Sequence, residues 1–204
     1  MKKILAIAGV ASVVGAVANA AELKLYDAYI GMDLGLGSMS YVDLTTEETK
    51  SVVNNTFLMG FDLGAKFRPL NSVWNPGISL GWDLTLPAEP EKWALTKQKP
   101  SYSFYTFGAD FDNYFAIANR RNAASRTDLI AGIGYHAVTT SWTGGGLGSD
   151  SDTHMSVALK FGIDQGISEN LKLNAKVQLF ILPGNDKGEE DMFLKMTVGF
   201  KSVF

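Results

Sequence analysis

Residues 57–67 read FLMGFDLGAKF, and this stretch decides the fold class. Its odd-numbered positions hold Phe, Met, Phe, Leu, Ala and Phe, whereas the even-numbered positions between them hold Leu, Gly, Asp, Gly and Lys. An apolar residue at every second position places the two kinds of side chain on opposite faces of a β-strand. The stretch therefore predicts a strand with one bulky apolar face and one face of mainly small or charged residues.

The same period of two recurs in seven further segments. They lie at residues 28–37, 77–86, 104–111, 129–137, 155–164, 171–181 and 192–204. In all eight segments one face carries essentially no charge, and the other carries Gly, Asp and Lys. The sequence therefore predicts an all-β protein of eight strands.

Two architectures could bury such strands, and they place the apolar face differently. A soluble barrel or sandwich holds that face inside, whereas an outer-membrane barrel turns it toward lipid. The interior of an eight-stranded barrel is only wide enough for side chains to fill it. The apolar set, with Trp82 and many Phe and Leu, is too bulky for that space, whereas the glycines of the other face leave room for a few long charged chains. We therefore predict an antiparallel up-and-down transmembrane barrel with a Gly-and-charge lumen, and a two-sheet sandwich remains the alternative.

The first twenty residues have the layout of a secretory signal peptide. Met1-Lys2-Lys3 is basic, residues 4–18 are apolar or small without charge, and Ala18-Asn19-Ala20 is an A-x-A cleavage site. We expect residues 1–20 to be removed after export and residues 21–204 to form the barrel. No periplasmic peptidoglycan-binding domain is expected after the last strand.

The composition excludes several classes of function. The net charge of −3 argues against a nucleic-acid partner, which normally selects a basic protein. The chain has no cysteine and only two histidines, so disulfides and Cys-ligated metal sites are excluded and a His-based metal site has little support. We expect no cofactor.

Polar segments separate the predicted strands. Those at 42–54, 87–100, 139–152 and 183–191 are predicted as four extracellular loops, and those at 68–76, 112–126 and 165–170 as periplasmic turns. The turn at 112–126, which contains Arg120, Arg121 and Arg126, is unusually long. An extension of the fourth strand through Asn113 and Phe115 would absorb part of it.

The signal peptide, the eight strands, the turn at 168–173 and the end Phe200-Lys201-Ser202-Val203-Phe204 together resemble the small eight-stranded outer-membrane barrels of the OmpA/OmpX type. The resemblance implies a monomer in the bacterial outer membrane, in contact with its lipids and inserted by periplasmic chaperones and the outer-membrane assembly machinery. Phe200 and Phe204 resemble the terminal tag that this machinery reads, although Ser202 departs from the pattern. No single activity is implied, because such barrels serve as anchors, adhesins, narrow channels and a few lipid-modifying enzymes.

The charges predicted to face the lumen divide by sign around the barrel. Acidic residues lie on the first four strands and lysines on the last three: Asp33, Asp62, Asp83 and Asp110, against Lys160, Lys172, Lys176, Lys195 and Lys201. Lys66 and Asp164 are the exceptions. Unpaired charges in so narrow an interior would be costly. We predict a structural salt-bridge network, in which Lys160 and Lys176 pair with carboxylates among Asp33, Asp62 and Asp83. A charge-lined conduit remains the alternative.

His154-Met155-Ser156 is similar to the His-x-Ser of barrel lipid-A deacylases, in which a base activates a serine nucleophile. The Asn that usually follows that motif is Val157 here, and so short a pattern is common by chance. We therefore interpret it as a polar strand start with no catalytic residue, and His136 as a hydrogen-bonding group of the lumen.

Trp93 and Trp142 fall within predicted extracellular loops, where an exposed Trp could anchor recognition or could pack onto the barrel rim. Together these features predict a non-enzymatic barrel with a structural or adhesin-like surface-interaction role, in which the loops hold an extracellular ligand. The alternatives are a narrow, porin-like channel for small solutes and then a lipid-modifying enzyme.

Overall fold

The structure, a computed structural model, describes residues 26–43, 48–67, 73–89, 100–119, 122–144, 148–182 and 189–204. The predicted signal peptide, residues 1–20, lies outside the described residues. Eight strands account for most of the described chain: β1 Tyr26–Asp43, β2 Glu48–Phe67, β3 Trp74–Thr85, β4 Pro100–Ala118, β5 Thr127–Gly144, β6 Ser149–Gly166, β7 Leu171–Ile181 and β8 Glu189–Val203. In these ranges no helix is long and apolar enough to span a bilayer.

Each strand pairs antiparallel with its neighbour in the chain, and β8 closes the sheet onto β1. The closing ladder runs from Tyr29 opposite Val203 to Asp43 opposite Glu189. Closure leaves no strand edge inside the sheet, which is the condition for placing a β-sheet in hydrocarbon. The predicted eight-stranded up-and-down barrel is confirmed, and the sandwich alternative is wrong.

The two faces of the strands lie as predicted. Outward positions are bulky and apolar and remain exposed, for example Phe61 at 45% and Val198 at 64%. Inward positions such as Lys176 are buried, at 5% exposure. Even the shortest strand, β7, has the eleven residues that a tilted transmembrane strand requires. The exposed apolar belt is therefore the lipid-facing surface.

Two ends of the barrel can be distinguished. We call the end that contains Asp43 and Gly144 the loop end, and the end that contains Tyr26 and Val203 the turn end.

At the loop end the strands are longer than predicted. β1 continues to Asp43 and β2 begins at Glu48, whereas β5 continues to Gly144 and β6 begins at Ser149. Most of the predicted loops 42–54 and 139–152 is therefore strand. Beyond the lipid belt a strand needs no apolar face, so the ladder continues while the period of two disappears from the sequence.

At the turn end nearly half of the long turn predicted at 112–126, residues 112–118, is strand. β4 continues to Ala118 and β5 begins at Thr127. The described part of the connection turns at Asn119, whose φ of 50° lies in the left-handed region that asparagine tolerates. Its carbonyl accepts the amide of Asn122 at 3.0 Å. Arg120 and Arg121 lie outside the described residues.

Candidate functional site

The barrel interior contains equal numbers of positive and negative side chains. Among the described residues, seven carboxylates and seven basic groups are buried: Asp33, Asp62, Asp83, Asp110, Asp112, Asp128 and Asp164, with Lys66, Arg126, Lys160, Lys172, Lys176, Lys195 and Lys201. This balance matters because a net charge enclosed in so small a volume would be strongly destabilising.

Lys176 on β7 lies at the centre of this charge network. Its Nζ is 2.6 Å from an Asp33 carboxylate oxygen and also donates to Asp62. Its side chain and both carboxylates are at least nine-tenths buried. Lys176 therefore pairs with two of the three carboxylates that the sequence predicted for it.

Lys160 on β6 has different partners from those predicted. Its Nζ lies 2.7 Å from Asp110 and 3.1 Å from Asp112, both on β4, and the prediction of Asp33, Asp62 or Asp83 is wrong. The ladders explain the choice, because Gly132 on β5 lies opposite both Lys160 and Asp112. Since Gly132 has no side chain, Lys160 reaches over it to the carboxylates two strands away.

The other ion pairs join strands on both sides of this centre. Lys195 lies 2.7 Å from Asp83, and Lys201 lies 2.9 Å from Asp164. At the turn end, Asp128 receives Lys66 at 2.5 Å and the Arg126 guanidinium at 2.7 Å.

Three members of the network, Asp112, Asp128 and Arg126, were not among the predicted lumen charges. Asp128 shares the even-numbered, inward parity of Gly132 and Gly134, so the parity of β5 carried the missing signal. Asp112 and Arg126 fell within the segment that was predicted as a turn.

Lys172 differs from the other buried lysines. It is 5% exposed and forms no ion pair with any carboxylate in the part of the chain that the structure describes. Lys201 lies opposite it in the β7–β8 ladder.

The half of the lumen nearest the loop end, the loop half, contains a cluster of apolar side chains. The predicted lumen of glycines and charged residues did not include them. Leu58, Phe104, Val138, Ala158, Phe180, Leu182 and Phe193 form one buried cluster, with Met39, Ala88 and Tyr102 packed against it. We call this cluster the apolar plug. The rings of Phe104 and Phe193 stack with centroids 5.2 Å apart, and those of Phe180 and Phe193 are 5.5 Å apart. The inward parity of these residues at one end was the signal available in the sequence.

His136 lies where the plug meets the charges. Its Nε2 is 2.9 Å from Asp110, and its ring packs edge-on against Phe180. Gln178 donates to the same Asp110 oxygen at 3.0 Å. His136 is thus a hydrogen-bonding group of the lumen.

Replacing Gly134 by Ala should lower the free energy of unfolding by about 1–3 kcal/mol, the usual cost of overpacking. A Cβ at this position would collide with the Asp110 carboxylate and come within 2.7 Å of His136 Nε2. Gly81→Ala is the matched control, because the nearest atom to its Cβ would be Asp62 Oδ1 at 3.4 Å, an ordinary contact. Denaturant titration in detergent or vesicles measures both, and equal stability of the two variants would contradict the packing described here.

The His-x-Ser motif does not form a catalytic pair in the structure. Ser156 is buried and its Oγ donates to the Ile181 carbonyl at 2.8 Å. His154 Nε2 instead lies 3.0 Å from Asp152.

Of the two loop tryptophans proposed for recognition, Trp93 lies outside the described residues. Trp142 belongs to β5 and not to a loop, because the strand continues to Gly144. In the ladders it lies opposite Tyr102 on β4 and Asp150 on β6.

Comparison with known proteins identifies the fold. No protein-family model and no curated protein matches the chain. Among solved structures, the barrel is similar to Neisserial surface protein A, with a TM-score of 0.55 and 11% identity over 87% of this chain and 97% of that one. It is also similar to the outer membrane protein OprG of Pseudomonas aeruginosa, with a TM-score of 0.51 and 13% identity over 88% and 95% of the two chains.

At such low identity these neighbours define the fold alone. The closed eight-stranded sheet and the apolar belt on its outer surface agree with them. The chain therefore has the fold of the small outer-membrane β-barrels, with its bulky apolar face outside and its charged face inside.

Proposed function

We propose that this barrel is a closed, non-enzymatic anchor that presents an adhesin-like interaction surface outside the cell. The observation that carries the proposal is the apolar plug, which fills the loop half of the lumen. The ion pairs fill the turn half. A solute would have to pass both layers, which disfavours the alternative of a narrow channel.

The refolded protein should give no stable ohmic conductance in a planar lipid bilayer. An ion entering the plug would lose its hydration without gaining a polar partner. Stable conductance steps in the wild type would favour the channel in place of the anchor.

Cysteine labelling tests the plug directly, because the native chain has no cysteine. A thiol at Ala158, which is fully buried in the plug, should react slowly with a membrane-impermeant maleimide. The paired change Phe180→Ala and Phe193→Ala should accelerate the reaction, whereas the lipid-facing pair Phe61→Ala and Phe200→Ala should not.

The arrangement of Ser156 and His154 supports the non-enzymatic part of the proposal. A serine nucleophile needs a base within hydrogen-bond distance, and here each side chain contacts another group. Mass spectrometry of lipid A from cells with and without the protein tests this, and a change in acylation would contradict it.

The remaining parts of the proposal concern assembly and partners. Export by the signal peptide, delivery by periplasmic chaperones and insertion by the assembly machinery follow from the resemblance, with Phe200 and Phe204 as the terminal tag. Both side chains are exposed on the outer surface, at 56% and 67%. With the termini in the periplasm, the loop end is extracellular and holds the ligand, and the barrel acts as a monomer.

A further inference from the structure

We propose that a groove on the outer surface of β2 to β6 holds one fatty acyl chain of lipid A, a role that rests on the membrane topology proposed above. The groove has a volume of about 580 Å³ and runs from Ala65 on β2 past Leu80 on β3 and Ala109 on β4 to Tyr135 on β5 and Val157 on β6. We call it the lipid groove. Four spacings between neighbouring strands make it about 19 Å long, which is comparable with an extended fatty acyl chain.

Two alanines create the depression. In the ladders Ala65 lies opposite Ile78, and Ala109 lies between Leu80 and Tyr135. A methyl group among longer side chains leaves a hollow in the outer surface, and the strands beneath it form the floor. An acyl chain lying in a hollow contacts protein on several sides. It therefore gains more dispersion contacts than a chain lying against a convex part of the barrel.

The position of the lipid groove determines which kind of molecule reaches it. The side chains that line it from outside are apolar apart from the Tyr135 hydroxyl, and they belong to the exposed apolar belt. That belt is the lipid-facing surface, so the groove is continuous with the interface between protein and hydrocarbon. An acyl chain lies along this surface whenever the barrel is in a membrane.

Tyr135 adds a polar group to this apolar surface. Its side chain is 58% exposed, and its hydroxyl has no hydrogen-bond partner among the described residues. Its outward neighbours are Ile133 and Ala137 along β5, with Ala109 and Val157 beside it in the ladders. A phenol surrounded by hydrocarbon is stabilised when it finds an acceptor. The carbonyl oxygen at which an acyl chain joins its lipid is such an acceptor.

The slope of the lipid groove selects the leaflet. Ala65 is two residues from the turn end of β2, whereas Tyr135 lies at the middle of β5. Beyond Tyr135 the outer surface becomes polar at Thr139, whose Oγ1 lies 2.8 Å from that of Thr153 on β6. A chain whose carbonyl accepts from Tyr135 therefore runs toward the turn end, and its headgroup lies at the loop end. With the loop end outside the cell, this is the leaflet whose lipid is lipid A.

Native mass spectrometry of the protein extracted from outer membranes in a mild detergent identifies the occupant. The barrel should retain one lipid A molecule under conditions that strip the detergent. A phospholipid retained in its place would assign the groove to lipid of the other leaflet, and a dimer without lipid would assign it to a second copy. Either result, or a barrel that retains no lipid, would overturn the proposal.

Tyr135→Phe tests the hydroxyl. In a titration of the refolded barrel with lipid A in detergent micelles, this variant should retain the lipid about fivefold more weakly, as expected for one lost hydrogen bond. Tyr105→Phe is the matched control, because Tyr105 is also exposed on the outer surface but does not line the lipid groove. It should bind lipid A as the wild type does.

Ala109→Leu tests the depression, because the larger side chain would occupy the space of the acyl chain. Retention of lipid A should fall by about tenfold or more. Ala137→Leu is the control: Ala137 has the same outward parity as Tyr135 on β5 and lies outside the lining of the groove. Heat-modifiable gel mobility confirms that each variant is folded. Undiminished retention in Tyr135→Phe or Ala109→Leu would overturn the lipid groove.

The lipid groove and the closed anchor can fail separately. Closure is measured by conductance through the lumen, whereas lipid retention depends on the outer surface. A conducting barrel that retains lipid A in the groove overturns only closure, and a closed barrel that retains none overturns only the groove.

Discussion

Replacing Lys176 by Met should lower the free energy of unfolding by about 3–5 kcal/mol, the typical cost of removing one partner of a buried ion pair. Lys176 is the basic partner that Asp33 and Asp62 share, at 2.6 Å from the first and in direct contact with the second. Methionine preserves most of the volume, so the loss comes from two carboxylates left close together in the lumen. Denaturant titration followed by tryptophan fluorescence measures it.

Lys172→Met is the matched control. Lys172 lies on the same strand and is equally buried, but it forms no ion pair with any carboxylate in the described ranges. The same substitution there strands no carboxylate and should cost much less. A further change of Asp33 and Asp62 to Asn should recover most of the stability lost in Lys176→Met, because neutral amides replace the stranded charges. Equal losses for the two lysines, without recovery, would mean that the lumen is hydrated and its charges are solvated.

The membrane-embedded part of the fold was predictable because lipid and the narrow lumen impose opposite requirements on alternate residues. Neighbouring residues in each transmembrane strand therefore differ in kind, as Phe61 and Asp62 do in β2, and this alternation is visible in the sequence. At the loop end both faces of a strand can be polar without cost, and β5 and β6 extend through residues such as Thr140 and Asp152 without that signal.

The lumen network was predictable in kind but only partly in its pairs. Parity places a residue inside the barrel, but which charge it meets depends on the stagger between strands, which one sequence does not reveal. Lys160 meets Asp112 because Gly132 lies between them in the ladders. The apolar plug was missed for a related reason: Leu58, Phe104 and Phe180 come together only when the register brings their strand ends to the same height.

The second large effect is expected for a charge placed on the lipid-facing side of β8. Val198 is 64% exposed on the outer surface, and in the ladders it lies between Leu34 on β1 and Ala175 on β7, near the middle of the strand. A lysine there would place its charge in hydrocarbon. Val198→Lys should therefore make folding into a bilayer less favourable by about 2–4 kcal/mol, the cost of a basic residue near the midplane.

Ser202→Lys is the depth control, because Ser202 has the same outward parity on the same strand but lies at the turn end, opposite Leu171. Near the interface the cost falls to about 0–1 kcal/mol, since the amine can reach water. Reversible folding into phospholipid vesicles measures both variants against the wild type. In detergent micelles, where the amine reaches water more easily, the difference should shrink. If Val198→Lys folds into vesicles as well as Ser202→Lys does, the outer surface of β8 does not face hydrocarbon. The ladders place the outward residues of β1 and β7 beside those of β8. Their outward faces would therefore not face hydrocarbon either.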